Sequence, residues 1–217
     1  MLIMAEKILM NLSQNLINQE ILIEEEDQDP FEIFSNWYGS ATKYEINDPN
    51  AMNLATVSAN LQPSTRMILL KEYDETGFIF NTNIESKKSN EIKSNDLVAL
   101  HFHWKSLRRQ VRIEGKAITL SNKEADRCFK DRPQESQIAA WASKQSKFLP
   151  NRKILNKRVY HYENIFSKKP LKRPDFWSGY KVIPQYFEFW WDVKFRLHYR
   201  IAYKQDSNRW NKFMLYP

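Results

Sequence analysis

Pro63-Ser64-Thr65-Arg66-Met67-Ile68-Leu69-Leu70-Lys71 is the stretch whose reading decides the fold. Four apolar residues run between two cations with no Gly or Pro among them, the pattern of a strand buried on both faces. A buried strand carries charge only where the charge has a partner. Arg66 and Lys71 stand five positions apart, so the two-residue period of a strand sends them to opposite faces. Each end of this spine is therefore expected to hold an anion.

On either side the pattern is that of strands. Asn53–Ala59 and Thr65–Lys71 flank Asn60-Leu61-Gln62-Pro63 as a hairpin, and Phe78–Thr82 follows the turn at Asp74-Glu75-Thr76-Gly77. Ser86 is placed to cap a short helix to about Ser94. Leu97–Trp104 and Arg109–Leu120 read as strands, the second with Gln110, Arg112 and Glu114 on one face and Val111 and Ile113 on the other. Ser121-Asn122-Lys123-Glu124 is a capping box for a helix to about Lys130. Helices are expected from Glu135 and over 151–166, and strands over Gln185–Trp191, Phe195–Tyr203 and Arg209–Tyr216. Seven or eight strands with inserted helices predict a mainly β, α+β fold, an antiparallel barrel with flanking helices. Phe187-Glu188-Phe189-Trp190-Trp191 would be a sticky edge unless barrel closure or a dimer interface hides it.

Before this body, residues 31–45 carry Phe31, Phe34, Trp37, Tyr38, Ala41 and Tyr44 at helical spacing. Residues 1–30 form an N-terminal extension, an amphipathic helical stretch over 1–22 followed by the acidic run Glu24 to Asp29. The remainder, 31–217, reads as one domain.

The charge is uneven. Residues 1–50 carry ten acids and two lysines, while the rest of the 217-residue chain carries 31 bases and 16 acids. A basic body suits an anionic partner, either nucleic acid or a phosphorylated small molecule. The four glycines, Gly39, Gly77, Gly115 and Gly179, are too scattered for a phosphate-cradling loop, so side chains must hold any phosphate. With one cysteine, Cys128, no internal disulfide forms and a reducing cytoplasm is the expectation. No stretch reaches membrane-spanning length.

Chemistry concentrates in two places. Arg196, His198 and Arg200 project from one face if their segment is a strand, and repel one another unless an anion lies against them. Arg132, Ser136, Gln137, Lys144, Gln145 and Ser146 form a second cluster of phosphate donors. His101 and His103 share a strand face but have no further ligands at metal spacing, and Cys128 has no activating neighbour, so packing is the reading for all three.

Six segments together resemble the pyridoxamine 5′-phosphate oxidase family in order and spacing. They are Arg66–Lys71, Arg109-Gln110-Val111-Arg112-Ile113-Glu114-Gly115, Arg132-Pro133-x-x-Ser136-Gln137-Ile138, Lys144-Gln145-Ser146, Glu188-Phe189-Trp190 and Arg196-Leu197-His198. The resemblance spans roughly residues 31–217. It implies an FMN-binding split β-barrel working as a homodimer, with flavin at the subunit interface, and oxidation of a phosphorylated B6 vitamer by O2. It further implies that Arg66, Met67, Ile68, Leu69, Leu70, Lys71, Asn81, Thr82, Lys87, Lys88, Gln110, Gln145, Ser146, Trp190 and Arg200 bind FMN. Lys71, Cys128, Arg132 and Ser136 would hold substrate, with Arg196 and His198 over its reactive carbon.

The chain departs from that pattern in places. Residues 1–30 contain no Arg or Tyr to fold over a substrate, Cys128 replaces a phosphate-binding tyrosine, Tyr199 replaces an acid, and Met214 replaces an arginine. Three other readings compete. A related FMN oxidase of another reduced ring, such as a dihydrophenazine, would have no use for Lys71, Arg132 and Ser136. A flavin or pyridoxal-phosphate binder without turnover suits the departures. A nucleic-acid binder is prompted only by charge and aromatics.

Overall fold

The structure, a computed structural model, describes residues 28–207 and 209–217. The helical stretch expected over 1–22 and most of the acidic run lie outside the described residues. Asp29, the last acid of that run, accepts a hydrogen bond from Phe31 N at 2.8 Å and caps helix α1, Pro30–Tyr44. An acceptor there satisfies an orphan backbone donor, and Pro30 at the first turn loses no hydrogen bond.

Five helices and nine strands follow one another among the described residues. After α1 come β1 (Ala51–Val57), β2 (Pro63–Leu69), β3 (Glu72–Asp74) and β4 (Gly77–Asn83). Helix α2 (Lys87–Ser94) leads to β5 (Leu97–Trp104) and β6 (Arg109–Thr119). Three helices, α3 (Asn122–Lys130), α4 (Gln134–Ala142) and α5 (Arg152–Phe166), precede the long β7 (Trp177–Trp191), and β8 (Tyr199–Asp206) and β9 (Arg209–Met214) close the chain. The strand order is β2-β1-β5-β6-β7-β4-β3, with β8 pairing β7 and β9. β1 pairs antiparallel with β2 and β5, β4 with β3 and β7, and β8 with β9.

The chain packs as two compact units, and β5, β6 and β7 run from one into the other. One unit holds 28–49, Trp104–Val111 and Phe187–Pro217; the other holds Asn50–His103 and Arg112–Tyr186.

In the first unit α1 lays an aromatic stripe on the end of β7. Trp37 meets Phe189 and Trp191 edge-on at 5.4 and 5.9 Å, and Phe31 meets Phe187 at 5.2 Å. The Arg109 guanidinium lies 4.4 Å from the centre of the Trp37 ring. Phe187, Phe189 and Trp191 are buried, so the aromatic strand expected to be a sticky edge is covered by its own N-terminal helix. Each such ring contributes about 1.5–3 kcal/mol by leaving water.

In the second unit the β1–β2 hairpin pairs Ala51 with Leu69 through Val57 with Pro63. The capping box at Ser121 and Glu124 forms on α3. Ser86 occupies the N-cap position of α2 without making the side-chain cap; its hydroxyl lies against Ser89 and Lys88 instead.

Two expectations about the spine are corrected. β2 is not buried on both faces: it stands at the end of the strand order, half-buried at Ser64, Arg66 and Ile68 and exposed at the alternate positions. Its apolar run had suggested a central strand, but only Leu70, just past its end, is buried. Nor do Arg66 and Lys71 diverge. The strand stops at Leu69, Leu70 N bonds Asn50 O and Lys71 N bonds Ile79 O, so the parity argument does not reach Lys71.

The strand expected from Phe195 also starts late. Lys194–Arg196 is a 3-10 turn in which Phe195 and Arg196 both have φ of 62°. Left-handed backbone breaks strand alternation, so Arg196 does not share a strand face with His198 and Arg200.

Gly179 of β7 faces Asn81 of β4, and a Cβ there would fall 2.4 Å from the Phe80 carbonyl oxygen. Gly179→Ala is expected to cost about 1–3 kcal/mol through this overpacking, measured by urea unfolding. An unchanged midpoint would mean that the two strands are not so closely apposed.

Candidate active site

In the second unit the hairpin, β4, α2 and the turn at 144–147 border a cavity of about 510 Å³. Arg66, Lys71, Lys87, Lys88 and Arg132 all reach its wall, and no acidic side chain among the described residues does. Met67, Ile68, Leu69, Asn81, Thr82, Gln145 and Ser146 complete the predicted residues found there. Leu70 is buried outside the lining.

The cations are held by a buried network. The register places Arg66 opposite Leu54, and its NH1 donates to Leu54 O at 3.2 Å and Thr56 Oγ1 at 2.5 Å. Its NH2 donates to Ser64 Oγ at 2.6 Å and Glu91 Oε2 at 3.1 Å. Glu91, buried on α2, also accepts from Thr56 at 2.6 Å and Ser64 at 2.8 Å. Lys87, one turn earlier, adds its charge at 3.7 Å. Burial pushes the Glu91 carboxyl up, but these hydroxyls and the Arg66 and Lys87 charges win and hold it below its ordinary range.

Lys88 is also buried. Its Nζ donates to Thr82 Oγ1 at 3.1 Å and Ser86 Oγ at 3.4 Å. Desolvation first, and Arg66 second, lower its pKa, with Glu91 pulling the other way. A desolvated ammonium beside a guanidinium is a site that an entering anion relieves. Gln145 Oε1 accepts from Thr82 Oγ1 and Asn83 N, each at 3.3 Å. The adjoining Ser146 has φ of 67°, a left-handed strain of a kind that clusters at ligand sites.

Arg132 lies over the Trp177 ring at 5.1 Å and donates to Ser136 O at 3.2 Å. Its Nε is buried without a partner, and burial lowers its pKa. Ser136 is half-buried and lies outside the cavity lining. Cys128 packs with Phe129 and Trp177, and burial, reinforced by Glu72, raises its thiol, so it is a poor nucleophile. His101 and His103 stack at 6.2 Å, and no metal-holding group of His, Cys, Asp and Glu occurs among the described residues.

The other unit carries the remaining predicted residues. Gln110 is half-buried on β6. Trp190 lies 4.7 Å from the His198 ring. Arg200 donates to the buried Glu188 at 2.8 Å and to Tyr216 O at 2.9 Å. Arg196 is exposed on its turn.

Comparison with known structures defines the class first. PhzG from Burkholderia lata, crystallised with tetrahydrophenazine-1-carboxylic acid, superimposes with a TM-score of 0.84 at 27% identity, covering 90% of this chain and 96% of that one. A pyridoxamine 5′-phosphate oxidase-related, FMN-binding protein from Nostoc punctiforme shares the fold at a TM-score of 0.70 and 13% identity, covering 88% and 100%. The fold is thus the split β-barrel that these two proteins share. Residues 39–166 match the family model described as pyridoxamine 5′-phosphate oxidase, and 177–217 match its C-terminal dimerisation region. A pyridoxine/pyridoxamine 5′-phosphate oxidase of Brucella canis is 48% identical over 191 residues, 87% of this chain and 94% of that protein, and one from Brucella suis matches to the same extent. The chain belongs to the pyridoxine/pyridoxamine 5′-phosphate oxidase family.

Sequence reasoning missed Glu91 and Thr56, which touch Arg66 behind the cavity wall, and Ser64, which touches Arg66 and also lines the cavity. The signal for Glu91 was its i,i+4 spacing from Lys87 on a helix that opens beside the site.

Because the folded Glu91 carboxyl sits below its ordinary 4.5, its stabilisation is present above that value and is lost as pH falls through the lowered one. Glu91→Gln is therefore expected to lose about 2–3 kcal/mol at pH 7 and to show a shallower loss in acid than the parent. Urea unfolding at neutral and acid pH tests this; an equal acid slope would remove Glu91 from the network.

Proposed function

We propose that this chain oxidises pyridoxamine 5′-phosphate and pyridoxine 5′-phosphate to pyridoxal 5′-phosphate with FMN as cofactor and O2 as acceptor. The observation that carries the proposal is the acid-free cavity with five cations along its wall. A phosphate dianion wants several charge-assisted donors, and a phosphorylated cofactor with a phosphorylated substrate presents two such dianions. FMN fits these residues: the desolvated Lys88 and the Glu91-braced Arg66 suit its phosphate. Thr82, Asn81, Gln145 and Ser146 suit the polar chain and ring edge.

FMN held by these residues would supply the acceptor for a hydride equivalent from the carbon bearing the amine or alcohol, with O2 reduced to hydrogen peroxide in the return half-reaction. With the amine, water completes the conversion to aldehyde and ammonia. The protein binds and orients. Lys71 and Arg132 grip the substrate phosphate, Arg132 with its buried Nε still to be satisfied. Ser136 supports Arg132 through its carbonyl. Arg196 and His198 stand over the substrate ring, and Trp190, Gln110 and Arg200 complete the cofactor's surroundings. Holding both rings in register removes much of the entropic barrier.

We further propose a homodimer with FMN at the interface. The description of the matched C-terminal region as a dimerisation region supports it, as does the exposed apolar face of β2, where Met67 is 64% and Leu69 41% accessible. No helix among the described residues is long and apolar enough to cross a membrane, and a single cysteine suits a reducing cytoplasm.

A reduced phenazine-type substrate is the competing reading, prompted by the likeness to PhzG. Lys71 and Arg132 favour a phosphorylated ring instead.

The test is to purify the yellow protein and add pyridoxamine 5′-phosphate under air. One peroxide and one ammonia are expected per pyridoxal 5′-phosphate; no peroxide would reject the activity. Arg132→Ala is expected to raise KM at least about tenfold with a smaller change in kcat, as loss of a charge-assisted contact implies. An unchanged KM would take Arg132 out of the phosphate site.

A further inference from the structure

Helix α4 ends at Ala142, shortly before Gln145 and Ser146 enter the cavity wall. The last carbonyls of a helix lack partners within it and gain from a nearby cation. Ser143 N–H takes the Ala139 carbonyl at 2.9 Å, but α4 carries no base in its own last turn. Arg158, half-buried on α5, supplies one. Its Nε donates to Ala142 O at 2.6 Å and its NH2 to Trp141 O at 3.4 Å, two donors on two separate acceptors. The same guanidinium lies 5.6 Å from the centre of the Tyr162 ring, and Tyr162 and Phe166 pack on Trp141 at 5.6 and 5.4 Å. The contacts of α5 thus converge on the end of α4.

The link between these two helices holds the left-handed part of the site. Lys147 N–H closes a turn on Lys144 O at 3.0 Å, with Ser146 at φ of 67°. A residue other than glycine keeps such a backbone only where its surroundings over-determine it. On the cavity side the restraint is Gln145, whose Oε1 is taken by Thr82 Oγ1 and Asn83 N, leaving its Nε2–H groups as donors. On the helix side it is Arg158, which ties Trp141 and Ala142 to a helix that starts beyond the turn, at Arg152, and so closes the link across its base. We infer that Arg158 is a positioning residue: by clamping the C-terminal carbonyls of α4 it holds the 144–147 turn so that Gln145 and Ser146 meet the flavin ring and its ribityl chain. This rests on the proposed binding of FMN in the cavity. Arg158 lies outside the cavity lining, so it acts through the turn. A lysine there would keep the charge but lose the rigid pair of donors.

Two measurements on the full-length protein test it. Hydrogen exchange of the flavin-free protein reads the turn without any ligand. Residues 143–147 are expected to exchange about tenfold faster in Arg158→Ala than in the parent, with β1 and α2 unchanged. Unchanged exchange at the turn, or faster exchange throughout the chain, would overturn the inference whatever the enzyme does. Titration with flavins then reads the coupling. Arg158→Ala is expected to weaken FMN and riboflavin alike, by about tenfold each, because ring and ribityl chain are common to both. Arg158→Lys is expected to recover part of the loss, and Arg158→Ala/Gln145→Ala to lose less than the two single variants together. Additive losses, or a loss confined to FMN, would show that Arg158 does not act through the turn. A parent whose turn is loosened by Arg158→Ala but which binds neither flavin would reject the proposed cofactor, and with it the role toward flavin, while leaving the clamp on the turn standing.

Discussion

The carboxylate of Glu91, buried beneath a group of cations, is the interaction on which the site depends. Arg66 and Lys88 are both drawn out of water beside the same cavity, and Lys87 stands one turn of helix from Glu91. Like charges in so little solvent repel strongly. Glu91 offsets that repulsion and, with Thr56 and Ser64, fixes the Arg66 guanidinium. The carboxylate sits behind the cations rather than in the wall, so the cavity itself presents only positive charge. The result is a site braced before any ligand arrives, which lowers the ordering cost of binding.

Much of this was legible in the sequence, for identifiable physical reasons. Alternation of apolar and polar residues placed β5 and β6, and the Ser121–Glu124 box placed α3, because these signals are local. The cations of the cavity were found because Arg, Lys, Ser and Gln are the side chains that phosphate requires and their motifs fell in family order. What failed was inference from one strand in isolation. An apolar run looks the same in a central strand and in an edge strand with one exposed face, and β2 is the latter case. The turn at Phe195–Arg196 was missed because nothing in the residue types announces a left-handed backbone there. Glu91 was missed because an acid was not looked for among the cations of the cavity.

The two units divide the labour of the chain. One carries the braced cavity on a hairpin and a short helix. The other carries Trp190 on β7, Arg200 on β8 and His198 in the link between them, and α1 covers β7 with Phe31 and Trp37. Arg200 is tied to the buried Glu188 much as Arg66 is tied to Glu91. These two guanidinium groups are thus each aimed by a buried carboxylate.

The central claim is that this cavity recognises phosphate on a flavin. The most direct measurement is to strip the protein of flavin and titrate it in parallel with FMN and riboflavin, which differ only in that group. The account expects FMN to bind at least about a hundredfold more tightly, the worth of one or two charge-assisted hydrogen bonds, with the gap narrowing in Arg66→Ala. Equal affinity for the two flavins would contradict it.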